Sequence, residues 1–165
     1  YVLDTKPRAV SAIGSAHVPG RAANLAYVTC LFEDNLIAHF HVNWLAPVKV
    51  RRTLIGGNRQ MIVFDDLEPS EKVRVYDKGI TVDQGPEDRY EKLVSYRTGD
   101  MWAPQLETTE ALTIAAQDFL GAIATGTEPE TNGTVGLRVV RILEAATRSM
   151  KRNGQLVELD LTENT

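Results

Sequence analysis

Two histidines and an asparagine stand at alternate positions in one apolar stretch of this sequence. Residues 36–45 carry His39, His41 and Asn43, with apolar residues between them. In a β-strand, alternate side chains point to the same face. The stretch therefore predicts a strand that presents two imidazoles and an amide in one row, and such a row could contact a substrate.

The same two imidazoles could also bind a metal ion. Two histidines two positions apart on a strand can ligate one zinc or iron ion. A third ligand would have to come from His17 or from a carboxylate, and no spacing singles one out. The wall of a polar pocket or a contact between subunits explains the row better, so we expect no metal.

A basic cluster follows this stretch. Lys49, Arg51 and Arg52 are close in sequence, and we expect Lys49 and Arg51 to share one face of a strand over residues 49–55. Guanidinium groups bind phosphate and carboxylate through paired hydrogen bonds, so the cluster indicates an anionic substrate. The alternative is a set of ion pairs between strands. The carboxylates that could form them are Asp65, Asp66 and Glu68.

The motifs of several catalytic classes are absent from the sequence. There is no GxSxG, which disfavours a serine hydrolase. No GxGxxG follows a predicted strand, so the sequence lacks the glycine-rich turn with which a Rossmann domain binds a dinucleotide. Cys30 lies within an apolar strand and is interpreted as a core residue, not as a nucleophile. We therefore assign no catalytic or cofactor-binding residue.

The elements that position these side chains follow from apolar periodicity and turn residues. Two helices are predicted near the end of the chain, one ending at Ala124 and one running from Gly133 to Lys151. Asp34 and Asn35 tolerate a left-handed backbone, which favours a two-residue hairpin. The predicted strands cover residues 9–15, 24–33, 36–45, 49–55, 60–64, 72–76, 80–83, 92–97 and 155–159.

This order of elements predicts an α+β fold: an open, predominantly antiparallel β-sheet with two main helices on one face. Apolar residues of both helices and of one strand should form the core between the layers. They are Leu112, Ala115, Ala116, Phe119, Leu120 and Ile123; Val135, Val139, Ile142, Leu143, Ala146 and Met150; and Ala38, Phe40, Val42 and Trp44. The strand at residues 24–33 is apolar on both sides, so the second face should be covered by another subunit or domain.

Length and composition fit one soluble domain. The chain has 165 residues and a formal net charge of −4, so we expect a single domain over residues 1–165. The negative charge argues against nucleic acid or an anionic membrane as partner. No apolar run reaches the ~20 residues of a membrane span, and the single cysteine fits a reducing cytoplasm.

Several short motifs together resemble the C-terminal domain of the Gfo/Idh/MocA oxidoreductases, the family of glucose–fructose oxidoreductase and inositol dehydrogenase. The resemblance extends from about Pro7 to Leu159. The motifs are the run Trp44, Pro47, Lys49 and Arg51, the strand end Ile55-Gly56-Gly57, the turn from Phe119 and Ile123 through Gly126 and Pro129 to Asn132-Gly133, and Leu143-Glu144-Ala145-Ala146.

The resemblance implies a parent enzyme that uses NAD or NADP and acts on a sugar, a cyclic polyol or a sugar nucleotide. In that family the cofactor and the catalytic lysine and histidine belong to regions that match no position here, including an N-terminal Rossmann domain. We therefore expect the isolated chain to hold no cofactor and to be inactive. A sugar nucleotide would suit the basic cluster.

The resemblance also implies that the open sheet face forms homo-oligomers and that the rim of the sheet contacts substrate. The residues expected in that contact are His39, His41, Asn43, Lys49, Arg51 and Arg52. Two alternatives stay open: a stand-alone homodimerisation module without catalysis, and a small metalloprotein that uses His39 and His41.

Overall fold

A computed structural model describes residues 2–3, 5–82, 94–107 and 109–160, with only the backbone described for residues 80–82 and 94–97. The chain divides into two compact units. The first comprises Tyr1–Pro47 with Ala111–Thr165, and the second comprises Val48–Glu110. Each unit is described by itself below.

The first unit is a four-stranded antiparallel sheet with two helices. Its strands are β1 (Ala9–Ser15), β2 (Leu25–Leu31), β3 (Ile37–Asn43) and β10 (Val157–Glu158), and its helices are α1 (Ala111–Thr125) and α2 (Gly133–Lys151). The order across the sheet is β10-β1-β2-β3. The predicted strands at residues 9–15, 24–33, 36–45 and 155–159 are thus confirmed, the first over its full length and the other three each three residues shorter.

The hairpin between β2 and β3 contains the predicted turn and an additional bulge. Asp34 and Asn35 both have positive φ, 54° and 59°, as the two-residue turn requires. The Leu36 N–H donates to the Glu33 carbonyl, while the Phe32 N–H donates to the Leu36 carbonyl. Phe32 and Glu33 therefore both oppose Leu36, which is the arrangement of a β-bulge.

The core of the first unit lies between α2 and one face of the sheet. Val10, Ala12 and Cys30 are buried there against Ala145 and Ala146. Small residues on α2 let the helix approach the sheet closely, and dense packing of this kind supplies most of a domain's stability. Burial in this apolar layer raises the pKa of the Cys30 thiol, which makes the thiol a poor nucleophile.

Hydrogen bonds fix both ends of α2. At the N-terminus, the Asn132 side chain accepts from the Val135 N–H at 3.0 Å, as an N-cap residue does. At the C-terminus, the buried Ser149 hydroxyl accepts from the Ala12 N–H at 2.8 Å and donates to the Gln155 carbonyl at 2.7 Å. The helix is therefore tied to the edge of β1, where the sheet would otherwise leave backbone groups unpaired.

Part of the predicted core is exposed. The stripe on α1 is accessible along its length, and no residue of α1 is buried. Val139 and Leu143 of α2 are also exposed, as are Phe40, Val42 and Trp44. The physical reason is that α2 packs on β1 and β10, so a single helix does not reach as far as β3 on this face.

The second unit consists of two antiparallel sheets. A four-stranded sheet has the order β4-β5-β6-β9, and β7 pairs with β8. The strands are β4 (Arg52–Gly56), β5 (Met61–Asp65), β6 (Val73–Tyr76), β7 (Gly79–Val82), β8 (Val94–Arg97) and β9 (Met101–Trp102). Residues 92–93 of the strand predicted at 92–97 lie outside the described residues.

The strand predicted over residues 49–55 begins later than expected. Arg52 pairs with Asp65, the last residue of β5, and the Asp66 N–H then donates to the Arg51 carbonyl. Beyond that point β4 has no strand to pair with. Lys49 and Arg51 therefore lie outside the strand, and the expectation that they share a strand face is wrong.

The predicted α+β class is confirmed, with two helices and antiparallel strands throughout. Within the described residues the strands form three separate sheets, not one continuous sheet. Among those same residues, no helix has the length and apolarity needed to cross a bilayer.

Candidate functional site

The open face of the first sheet, on the side away from α2, carries the two histidines. Cross-strand pairing places Thr29 opposite His39 and Tyr27 opposite His41. Facing pairs on adjacent antiparallel strands bring their side chains into contact. We call this group of four residues the histidine face.

The aromatic rings of the histidine face form a stack. Tyr27 and His41 have ring centroids 4.6 Å apart and planes inclined by 14°. Tyr27 and His39 are 6.1 Å apart and inclined by 22°. Offset stacking of nearly parallel rings stabilises such pairs beyond simple burial. The tyrosine ring thus stacks on both imidazoles.

The histidine face combines an apolar platform with polar atoms. The Thr29 hydroxyl and His39 Nδ1 share a hydrogen bond at 3.0 Å, which fixes the orientation of that imidazole. Tyr27 remains 43% exposed although it lies on a central strand. A flat aromatic surface with hydrogen-bonding atoms at its borders suits either a second protein surface or the face of a sugar ring.

The metal hypothesis has no support from this geometry. In the described part of the chain, no group of three or more histidine, cysteine, aspartate or glutamate side chains could hold a metal ion. His17, the third ligand considered from the sequence, directs Nδ1 to the Asn24 side-chain oxygen at 2.9 Å.

Asn43 has a different role from the histidines with which it was predicted to form a row. Its side-chain oxygen accepts from the Leu45 N–H at 2.9 Å. An asparagine that bonds to the backbone two residues later forms an Asx turn. Asn43 therefore shapes the turn after β3, immediately before the exposed Trp44.

The basic cluster is engaged in ion pairs within the second unit. Arg51 Nη1 donates to Asp66 Oδ2 at 3.1 Å, and Arg52 Nη2 donates to Asp65 Oδ2 at 2.7 Å. The Arg52 hydrogen bond is the main reason that the pKa of Asp65 lies below its ordinary value. The cross-strand alternative is thus the arrangement that the structure shows for both arginines. Lys49 is exposed.

The predicted site residues belong to different units. His39, His41 and Asn43 lie in the first unit, whereas Lys49, Arg51 and Arg52 lie in the second. The structure brings the two histidines together through Tyr27 and pairs the arginines with carboxylates.

Tyr27 and Thr29 were not among the predicted site residues. The register of the hairpin was the only feature that could have identified them, because it determines which residues lie opposite His39 and His41. A plain two-residue hairpin would have paired Tyr27 with Val42, on the opposite face. The bulge at Phe32 and Glu33 shifts the pairing by one residue, and a shift of one exchanges the two faces of a strand.

No protein-family model matches this sequence, and no curated protein does. The fold, in contrast, is found in solved structures. Aldose–aldose oxidoreductase from Caulobacter crescentus, complexed with glycerol, superposes with a TM-score of 0.69 at 20% identity, over 94% of this chain and 42% of that one. Levoglucosan dehydrogenase, in complex with NADH and levoglucosan, superposes with a TM-score of 0.68 at 18% identity, over 93% of this chain and 45% of that one.

UDP-N-acetylglucosamine 3-dehydrogenase from Acidithiobacillus ferrooxidans gives a TM-score of 0.64 at 21% identity, over 89% of this chain and 40% of that one. The chain therefore spans less than half the length of each of these three proteins. Identities this low establish the fold alone. The resemblance to the C-terminal domain of the Gfo/Idh/MocA oxidoreductases is confirmed at that level: this chain has the fold of one part of these sugar and sugar-nucleotide oxidoreductases.

Proposed function

We propose that this chain is the substrate-binding and oligomerisation domain of an NAD(P)-dependent oxidoreductase that acts on a sugar, a cyclic polyol or a sugar nucleotide. The observation that carries the proposal is the match of nearly the whole chain to one part of several carbohydrate oxidoreductases. A shared fold hosts many functions, so the class of reaction is inferred from the names of these neighbours.

In this proposal the chain supplies binding surfaces, while hydride chemistry belongs to a cofactor domain elsewhere in the parent enzyme. The sequence supports this division, because it contains no GxGxxG after a strand. Residues 1–165 act as a single domain of that enzyme, and without the cofactor domain the chain is inactive.

Substrate contacts are assigned to the rim of the domain. His39 and His41 can donate and accept hydrogen bonds to hydroxyl groups, as Asn43 can through its amide nitrogen. Lys49 is exposed and can bind an anionic group. Arg51 and Arg52 can do the same only by exchanging their aspartate partners for a substrate phosphate.

Oligomerisation is assigned to the open sheet face. Ile13, opposite Tyr27, and Ile37, opposite Leu31, are exposed there. Exposed apolar residues on one flat surface are typical of interaction sites. This feature alone would also fit a stand-alone homodimerisation module without catalysis, which is the alternative function.

The test is an assay of the complete reading frame that contains this chain. The purified product should oxidise members of a panel of aldoses, inositols and sugar nucleotides with NAD or NADP, and the 165-residue chain alone should not. The variant Lys49→Ala should raise KM several-fold for an anionic substrate and leave KM for a neutral one unchanged. A complete product that lacks both nucleotide binding and turnover would leave the homodimerisation module as the better function.

A further inference from the structure

Four charged side chains share one face of the four-stranded sheet in the second unit. Arg52 of β4 lies opposite Asp65 of β5. The Asp65 N–H donates to the Lys72 carbonyl at 2.8 Å, so Lys72 lies opposite Asp65 on its other side, immediately before β6. Arg74 is two residues further along the chain and therefore on the same face. We call Arg52, Asp65, Lys72 and Arg74 the basic face.

The basic face carries a surplus of positive charge. It contains three cations and one carboxylate, and both oxygens of that carboxylate already accept hydrogen bonds. Asp65 Oδ2 accepts from Arg52 Nε at 3.1 Å and from Arg52 Nη2 at 2.7 Å, and Asp65 Oδ1 accepts from the Leu67 N–H at 3.2 Å. Lys72 and Arg74 are therefore the two cations of this face that Asp65 does not bind.

The other carboxylates between β5 and β6 do not neutralise this surplus. Asp66 forms an ion pair with Arg51. Within the part of the chain that the structure describes, Glu68 and Glu71 form no ion pair. Two positive charges of the basic face thus have no counter-charge from this turn.

Arg74 is the cation of the basic face that most clearly lacks an acceptor. Its Nε is buried and has no hydrogen-bond partner among the described residues, although the residue as a whole is only half-buried. The hydrogen bond from Arg52 is the first cause of the lowered pKa of Asp65, and the charge of Arg74 adds to it, so the guanidinium lies near that carboxylate. A buried charged donor without an acceptor is costly, and a bound anion would reduce that cost.

The charge and spacing of Lys72 and Arg74 suit a phosphate group better than a carboxylate. Residues two apart on a strand are separated by about 6.6 Å, so both side chains can reach oxygens of one group. A phosphate monoester carries about two negative charges at neutral pH, which matches the surplus of two, whereas a carboxylate carries one. Guanidinium binds two phosphate oxygens through paired hydrogen bonds, and an ammonium adds a compact charge.

We propose that Lys72 and Arg74 bind a phosphate group of a small-molecule ligand. The group can belong to the diphosphate of a sugar nucleotide or to a sugar phosphate. That choice between two sources rests on the proposed function, whereas the phosphate site itself does not.

The first test is a titration of the ¹⁵N-labelled 165-residue chain with inorganic phosphate at pH 7, followed by nuclear magnetic resonance. The Nε–H resonance of Arg74, identified by its absence from the spectrum of Arg74→Lys, should shift with saturation. Sodium chloride at the same ionic strength is the control and should leave the resonance in place, because a general salt effect does not require a site.

The second test measures phosphate affinity in variants by the same titration, on resonances of the second unit. Lys72→Gln and Arg74→Gln should each weaken binding at least tenfold, and Arg74→Lys, which keeps the charge but loses the paired hydrogen bonds, should weaken it less than Arg74→Gln does. Arg21→Gln removes the same charge from an exposed site in the first unit and should stay within twofold of wild type. Urea unfolding of each variant confirms that it is folded.

UDP and glucose 6-phosphate then distinguish the two sources. Tighter binding of UDP supports the site as one for a sugar nucleotide, and tighter binding of glucose 6-phosphate supports it as one for a sugar phosphate. The proposal is overturned if chloride shifts the Arg74 resonance as phosphate does, if Arg21→Gln weakens binding as much as Lys72→Gln, or if uridine binds as tightly as UDP. None of these measurements uses turnover, so failure of the proposed enzymatic function would not change their outcome.

Discussion

At the residue scale, the two imidazoles of the histidine face differ in their surroundings. His39 is held by the Thr29 hydroxyl at 3.0 Å, whereas His41 has the closer stack on Tyr27. A side chain fixed by a hydrogen bond presents its remaining polar atom in a defined direction, which is what selective binding requires. A stacked ring without such a bond contributes mainly surface. His39 is therefore better suited to orient a ligand and His41 to pack against one.

The ion pair of Asp65 and Arg52 makes the stability of the second unit depend on pH. The pKa of Asp65 is lowered from 3.8 in the folded chain, first by its hydrogen bond from Arg52. The unfolded state then takes up the proton at a higher pH than the folded state does. The stabilisation is thus present above about pH 4 and is lost as the pH falls through the folded pKa.

We expect the Asp65→Asn variant to unfold at lower urea concentration than wild type at pH 7 and at nearly the same concentration at pH 2. Urea titrations at several pH values measure the difference. Asp66→Asn is the matched control, since its pair with Arg51 is more exposed and such pairs contribute little. If the difference in unfolding urea concentration between Asp65→Asn and wild type stayed constant from pH 7 to pH 2, this explanation would be contradicted.

At the scale of elements, the hairpin between β2 and β3 determines which residues share the open face. Its turn requires a left-handed backbone at Asp34 and Asn35. A β-branched residue is strained in that conformation by about 1–2 kcal/mol, whereas glycine adopts it freely.

We expect Asn35→Val to lower the free energy of unfolding by about 1–2 kcal/mol. Asn35→Gly should stay within about 0.5 kcal/mol of wild type. Chemical denaturation followed by circular dichroism measures both. Equal stability of the two variants would show that the turn does not impose the strain inferred from its φ angles.

The same hairpin shows where sequence reasoning reaches its limit. The strand that holds His39 and His41 is predictable because apolar and polar residues alternate, and the turn is predictable because Asp and Asn tolerate positive φ. The bulge at Phe32 and Glu33 has no signature in residue type, so the partner Tyr27 could not be assigned. The start of β4 likewise depends on where its partner strand β5 ends. The sequence of β4 alone does not contain that information.

At the scale of the whole molecule, the helices leave more of the sheet uncovered than the sequence suggests. Apolar spacing identifies which residues seek burial, but it does not say what covers them. Leu112 and Phe119 have helical core spacing and are nevertheless exposed. Proteins that share this fold are more than twice as long as the matched segment. Exposed apolar residues of the first unit are thus best explained as surfaces that associate, either with a second copy or with further protein.

Two substitutions of Tyr27 test whether the open sheet face is an interface between copies of the chain. Self-association through this face should depend on its aromatic surface and not on enzymatic activity. Tyr27→Asp places a charge between two imidazoles at the centre of the histidine face and should weaken self-association through this face at least tenfold, since an unpaired buried charge is costly. Tyr27→Phe keeps the stacked ring and should associate as wild type does. Sedimentation equilibrium of the 165-residue chain distinguishes the two variants. If Tyr27→Asp associates as wild type does, the histidine face is not an interface, and substrate contact becomes its better assignment.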